Sequence, residues 1–190
     1  MDPMSRRAWL GAATTTPLVV AGTAAAAATA PPKPFRFCLN TSTISGQKLP
    51  LPEMVQIAAR AGYDAIEPWI RDIDQYVQSG GSVRDLATRI RDLGLTVEDA
   101  IGFPEWIVDD DARRTKGLEE ARRAMGLVRE LGGARLAAPP VGATNERLAD
   151  LGRATDRYRA LCELGDRMDV TPMVELWGFS KRLNRLGETA

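Results

Sequence analysis

From Phe35 onward the apolar positions repeat one phrase: an amphipathic helix, a glycine, a few residues, then a short apolar run. The four copies are AARAGYDAIEPW, IRDLGLTVEDAIGF, VRELGGARLAAPP and CELGDRMDVTPMVELWG. Their glycines, Gly62, Gly94, Gly132 and Gly165, stand 32, 38 and 33 residues apart. Glycine just past a helix takes the left-handed cap conformation without Cβ strain, so each marks a predicted helix end. Before them run the stripes Met54, Val55, Ile57, Ala58, Ala61 and Val83, Leu86, Ala87, Ile90, Leu93. Ala121, Met125, Val128, Leu131 and Leu151, Ala154, Tyr158, Leu161, Cys162 follow, all at the spacing of a helix with one buried face. The opposite faces, RDLATRIRD and EEARRAMGLVRE among them, read as solvated surfaces laced by i,i+4 pairs. Asp109, Asp110 and Asp111 precede the third stripe and read as helix capping rather than a cation site.

The strands are predicted at Arg36–Asn40, Ala65–Trp69, Thr96–Ile101, Arg135–Ala138 and Met173–Trp177. Strand plus helix at about 30 residues or more per repeat is the βαβ unit. The runs lack sustained polar alternation, as expected of a parallel sheet covered by helices. Two α/β architectures fit, an open doubly wound sheet or part of a (β/α)8 barrel. The first places a glycine-rich phosphate turn after its first strand. The turn here, NTSTISGQKLPLPE, has one glycine and neither GxGxxG nor GxxxxGK. The expected fold is therefore a partial (β/α)8 TIM barrel over residues 31–190, with about five of its eight βα units. An unclosed parallel barrel exposes the edges of its first and fifth strands. The sequence is accordingly expected to be an incomplete copy, lacking on the order of 100 residues, or to be completed by a partner chain.

Composition narrows the function. Acidic and basic side chains balance at 25 each and histidine is absent, so no basic footprint for nucleic acid or an anionic membrane exists. Cys38, in a strand, and Cys162, on a helix stripe, read as small core residues rather than a disulfide. Residues 1–30 are read as an export signal: SRRAWLG carries a twin-arginine pair, and LVVAGTAAAAATA is an apolar stretch ending in small residues. The stretch is short and alanine-rich for a membrane anchor, which needs about 20 strongly apolar residues. The expected destination is periplasmic or otherwise extracytoplasmic, with no membrane association beyond the signal.

The ordered segments FRFCLNTST, GYDAIEPW, DLGLTVEDAIGF, ELGGARLAAPP and VTPMVELWG resemble the sugar phosphate isomerase/epimerase family of xylose isomerase-like TIM barrels. That resemblance implies one divalent metal ion (Mg, Mn, Co or Zn) at the C-terminal mouth, held by residues of the fifth to eighth strands. Only the fifth-strand glutamate falls within this chain, at Glu175. It would be metal ligand and catalytic acid/base at once, moving a proton next to a sugar carbonyl through an enediolate. The second acid/base and the remaining ligands would lie outside the chain. The implied partner is a small-molecule sugar, with an oligomer possible for the full-length protein. A non-catalytic sugar-binding barrel is the alternative. An endonuclease IV-like repair enzyme is a weaker one, since that class uses many histidines.

Active sites of such barrels lie at the C-terminal ends of the strands, a rim reached by Asn40, Glu67, Trp69, Trp106 and Glu175. A carboxylate there needs an ionic partner or a metal. Glu175 is therefore either a metal ligand or half of an internal ion pair. Glu67, next to Pro68 and Trp69, either binds a substrate hydroxyl or pairs with an arginine across the mouth; Asn40 and Trp69 are further substrate-binding candidates. Trp106 either covers the apolar face of a sugar or anchors its loop. Glu98 and Asp99 are expected to include one interior carboxylate with a polar partner. Replacing Arg6 and Arg7 by lysine should retain the product in the cytoplasm, because the export route reads the guanidinium pair and not charge alone. Cell fractionation showing undiminished export of the double-lysine form would exclude this route.

Overall fold

Short parallel strands carry the fold, each brought back to the same end by a helical crossover. The computed structural model describes residues 35–145, 150–181 and 183–189. The export-signal segment lies outside the described residues. The strands are β1 (Cys38–Asn40), β2 (Ala65–Glu67), β3 (Thr96–Val97), β4 (Ala100–Ile101), β5 (Arg135–Ala137) and β6 (Thr171–Met173). The helices are α1 (Leu51–Arg60), α2 (Ile70–Gln78), α3 (Val83–Asp92), α4 (Asp111–Glu130), α5 (Leu151–Met168) and the short α6 (Leu186–Thr189). A 3-10 helix, Thr41–Gln47, leads from β1 towards α1. All strand pairs are parallel, in the orders β1-β2-β3 and β4-β5-β6. This is the expected α/β architecture, a partial TIM barrel whose sheet does not close among the described residues.

The strand expected over Thr96–Ile101 is broken in two. Ala65 pairs with Thr96 and Trp69 with Ile101, so four residue steps on one side face five on the other. The extra residue is a bulge at Glu98–Asp99, a device that bends a strand and re-aims its side chains. Consequently both carboxylates find polar partners. Glu98 pairs with Arg36 (2.6 Å) and accepts from the Thr96 hydroxyl (2.9 Å). Asp99 Oδ1 accepts from the backbone N–H groups of Ala100 (2.7 Å) and Ala137 (3.0 Å).

The helix stripes bury as their spacing requires. Val55, Ala58, Leu86, Met125, Val128 and Leu161 are fully enclosed with Ile66 and Leu136, the middle residues of β2 and β5. The stripe ends Ala61, Leu93 and Leu151 are exposed, because helix termini curve away from the sheet. Asp110 caps α4, accepting from Arg113 N–H at 2.8 Å, while Asp109 binds the buried Arg157 of α5 at 2.6 Å. Arg123 of α4 grips Asp74 of α2 through two bonds, at 2.6 and 3.0 Å. Both cysteines are free, and Cys38 is exposed rather than core because β1 is an open edge.

Gly62, Gly94 and Gly132 take the left-handed conformation expected of caps, with φ of 82°, 76° and 86°. Gly165 does not. It is buried inside α5, which runs on to Met168 and ends at Asp169, with φ of 54°. A Cβ at Gly165 would meet Val170 O and lie 2.7 Å from Pro172 Cδ, so this glycine lets the helix press against the start of β6. That strand also begins earlier than expected and ends at Met173, leaving Val174–Trp177 as coil beyond it. Gly165→Ala should destabilise the fold by about 1–3 kcal/mol through overpacking. Gly126→Ala, where a Cβ meets nothing within 4 Å, should be neutral or stabilising by up to about 1 kcal/mol. Thermal unfolding of the two variants checks the contrast.

Candidate active site

Parallel pairing puts the C-terminal ends of all strands on one side, and the polar residues collect there. Asn40 ends β1 directly opposite Glu67 at the end of β2. Its Oδ1 accepts from Ser42 N–H and from the Trp69 indole N–H, both at 2.9 Å. The Trp69 backbone is fixed as well. Its N–H donates to the fully buried Thr41 hydroxyl (3.2 Å), which donates to Asp72 in the first turn of α2 (2.9 Å). Trp69 is thus held at both its backbone and its indole.

Glu67 and Glu175 stand at this end of the sheet, and Asp99, at the bulge between β3 and β4, is close enough to Glu67 to feel its charge. Burial, then the charge of Glu175, raises the Glu67 carboxyl above its ordinary range, against a hydrogen bond from the Asn40 side chain. Burial, then the charge of Glu67, pushes Asp99 up to about 7, although its bonds from Ala100 and Ala137 oppose the rise. Glu175 lies two residues past β6, in coil rather than the strand expected for it, and still at the rim. Its Oε2 is buried and accepts no hydrogen bond among the described residues. No basic side chain forms an ion pair with Glu67, Asp99 or Glu175 among the described residues. The internal arginine partner considered for Glu175 and Glu67 is therefore not seen there. Arg36 and Arg135 serve Glu98 instead, at 2.6 and 3.5 Å.

The rim is walled by aromatic rings. Phe103 packs on Trp69 (centroids 4.9 Å apart) and reaches Trp177 (6.2 Å), and Phe179 stacks on Trp177 (4.9 Å). The Arg71 guanidinium lies 4.1 Å over the Trp69 ring. Trp106 is not part of this wall. It is 1% exposed, its indole donates to Ala138 O and Pro139 O at 3.1 Å, and its ring packs on Tyr158 of α5. It anchors its loop, the second of the two roles open to it. Phe103 takes the place expected for Trp106, and the sequence carries a signal for the wall. Glu67-Pro68-Trp69 and Glu175-Leu176-Trp177 are the same Glu-x-Trp tripeptide, and in extended chain the first and third residues share a side.

With Asn40, Glu67 and Glu175 at the mouth of parallel βα units, relationship can be judged. The family model described as xylose isomerase-like TIM barrel matches residues 55–189. The chain belongs to this family. Comparison with curated proteins finds no match. Solved structures give several likenesses. A xylose isomerase-like TIM barrel/4-hydroxyphenylpyruvate dioxygenase fusion protein is 23% identical, with TM-score 0.70, over 81% of this chain and 24% of that one. The IolI protein with a bound zinc atom is 18% identical, with TM-score 0.68, over 76% and 52%. The 3-keto-D-glucoside 4-epimerase from E. coli is 21% identical, with TM-score 0.59, over 74% and 56%. The chain thus spans between about a quarter and just over half the length of these barrels, and the likeness is one of fold.

The raised Asp99 carboxyl sets a pH dependence for this xylose isomerase-like chain. Its ordinary value is 3.8 and its folded value about 7, so between them the folded state holds a proton that the unfolded state releases. This contribution to stability is full below the ordinary value and declines as pH rises through about 7. Asp99→Asn keeps the acceptor for Ala100 and Ala137 but cannot ionise. It should flatten the decline and be more stable than wild type at pH 8, as checked by urea unfolding across that range. An unchanged slope would show that Asp99 is ionised throughout.

Proposed function

We propose that this chain supplies the N-terminal half of a divalent-metal-dependent sugar isomerase or epimerase, exported by its twin-arginine signal. The observation that carries the reading is the buried Glu175 Oε2, which accepts no hydrogen bond. An ionised carboxylate oxygen withdrawn from water without a partner is costly, and a bound cation removes that cost. The residues present therefore fit one ligand of a metal site. Among the described residues no group of three His, Cys, Asp or Glu could hold the ion unaided. On this reading the other ligands come from strands outside the chain.

When bound, the cation would polarise the sugar carbonyl. Glu175, at the mouth, would hold it and exchange the proton on the adjacent carbon. Glu67, its pKa raised by burial, retains a proton at higher pH than an exposed glutamate and can donate to or accept from a substrate hydroxyl. Asn40 orients Glu67 and the Trp69 indole together. The Trp69 ring, packed on Phe103 and covered by the Arg71 guanidinium, would border a sugar rather than stack on it. Oxygen ligands favour Mg or Mn, and a histidine contributed from elsewhere would admit Zn or Co.

The test is Glu175→Gln in the longest product of this gene. The change keeps volume and one carbonyl oxygen while removing the charge. Metal content should fall, turnover on a sugar should drop about 10²–10⁴-fold, the loss expected for a general base, and the melt of the metal-free form should barely move. Glu67→Gln should keep its metal and lose turnover modestly. Full metal occupancy in Glu175→Gln, by elemental analysis, would sink the ligand assignment. A non-catalytic sugar-binding barrel would instead bind sugar with no turnover in the wild type.

A further inference from the structure

Between β2 and β3 the chain places two helices where one crossover suffices. The second, α3, ends at Gly94 and returns the chain to β3; the first, α2, is additional and packs beside α1. Together they enclose a cavity of about 540 Å³, the size of a site for a small organic molecule. Its walls are the stretch from the end of the 3-10 helix into α1, and one side of α2. Neither Glu67 nor Glu175 lines it. Lys48 and Arg71 do, and both are held. Lys48 stands in the left-handed conformation (φ 53°), which few side chains other than Asn and Asp adopt, with its N–H on Ser45 O at 3.0 Å. The Arg71 guanidinium lies 4.1 Å over the Trp69 ring, and its Nε donates to Asp72 at 3.4 Å. Asp72, the single carboxylate of the lining, also accepts the Thr41 hydroxyl at 2.9 Å.

The rest of the lining is of the opposite kind. Leu51 and Met54 of α1 are buried, and the Tyr76 ring of α2 lies against Gly81, where no Cβ would fit. Two cations and one engaged carboxylate favour a single anionic group, which lysine and arginine hold through charge-assisted hydrogen bonds. Stacking on Trp69 fixes the plane of the Arg71 guanidinium beforehand, so less freedom is lost on binding. An inorganic ion would leave Leu51, Met54 and Tyr76 uncovered, whereas an anion with an apolar body uses both kinds of wall. We propose that this cavity binds a small organic anion, its carboxylate or phosphate held by Lys48 and Arg71 and its apolar body packed on Leu51, Met54 and Tyr76. The site stands independently of the sugar reading, because the carboxylates of the mouth take no part in it.

The experiment titrates the full chain by calorimetry at low ionic strength with phenyl phosphate, phenylacetate, inorganic phosphate and benzyl alcohol. One or both phenyl anions should bind at least about tenfold more tightly than inorganic phosphate, which lacks the apolar body, and than benzyl alcohol, which lacks the charge. The tighter of the two names the head group. Lys48→Asn removes the cation and suits the left-handed turn. It should weaken the phenyl anion at least about fivefold while melting no lower than wild type. Arg71→Gln should weaken it by a similar factor, and Glu67→Gln by less than about twofold. An anion lodged at the mouth would instead bind more tightly in Glu67→Gln, where a repelling charge is gone. Three results overturn the proposal: no binding of either phenyl anion, binding that survives both Lys48→Asn and Arg71→Gln, or binding tightened by Glu67→Gln. Inorganic phosphate binding as tightly as the phenyl anions overturns the apolar half of the site.

Discussion

A single carboxylate oxygen holds the bulge where the two halves of the sheet meet. Asp99 Oδ1 takes the backbone N–H of Ala100 on its own strand and of Ala137 on the next. It stands in for a ladder carbonyl where the bulge interrupts β3 and β4. Beside it, Trp69 and Ile101 make the bridge that links β2 to β4. These contacts set how the β1-β2-β3 edge, carrying Asn40 and Glu67, is turned towards the β4-β5-β6 edge, carrying Glu175. Since Glu175 is near enough to raise Glu67, the bulge is also what gathers the acidic residues.

The helices fix the remaining coordinates through contacts that no stripe of apolar residues specifies. Gly165 lets α5 approach β6 closely, and the Tyr158 hydroxyl of the same helix donates to Pro172 O at 2.8 Å. Gly117 does the same for α4, where a Cβ would lie 2.7–2.9 Å from the backbone of Glu105. Arg157 reaches from α5 to Ile107 O (2.6 Å), holding the loop between β4 and α4. Strand ends and loops at the mouth are therefore positioned from outside the sheet by helix contacts. The aromatic wall inherits that rigidity.

How much of this is legible in the sequence depends on the range of each contact. Periodicity and cap glycines are local, so the order of elements, the parallel sheet and three of the four glycine caps can be read directly. Gly165 misleads because a glycine for close packing and a glycine for a left-handed turn are the same letter. The break at Glu98–Asp99 is invisible because the bulge arises from register with β2 and β5, not from the strand itself. Trp106 and Phe103 are both aromatic residues in one loop, and only the buried run Trp106, Ile107, Val108 shows which turns inward. Glu175 could be placed at the rim from spacing alone, yet its orphaned oxygen could not. The helix α2 carries Ile70, Ile73 and Val77 at helical spacing, but it stands outside the repeat of one helix per strand that ends at a cap glycine before the next strand.

Charge is distributed along the axis of the sheet in a way that bears on the chemistry. At the N-terminal ends Glu98 is neutralised by Arg36 and Arg135, and that end is closed as a structural ion cluster. At the C-terminal ends stand Glu67 and Glu175, with Asp99 at the bulge close enough to Glu67 to feel its charge, and among the described residues no cation is paired with any of the three. Burial first, and a neighbouring carboxylate second, favour the protonated forms of Glu67 and Asp99, which is what their raised carboxyls express. Among the described residues the buried Glu175 Oε2 has neither a hydrogen-bond donor nor an ion-pair partner. A site in that condition gains most from a cation and from a ligand that donates many neutral hydrogen bonds.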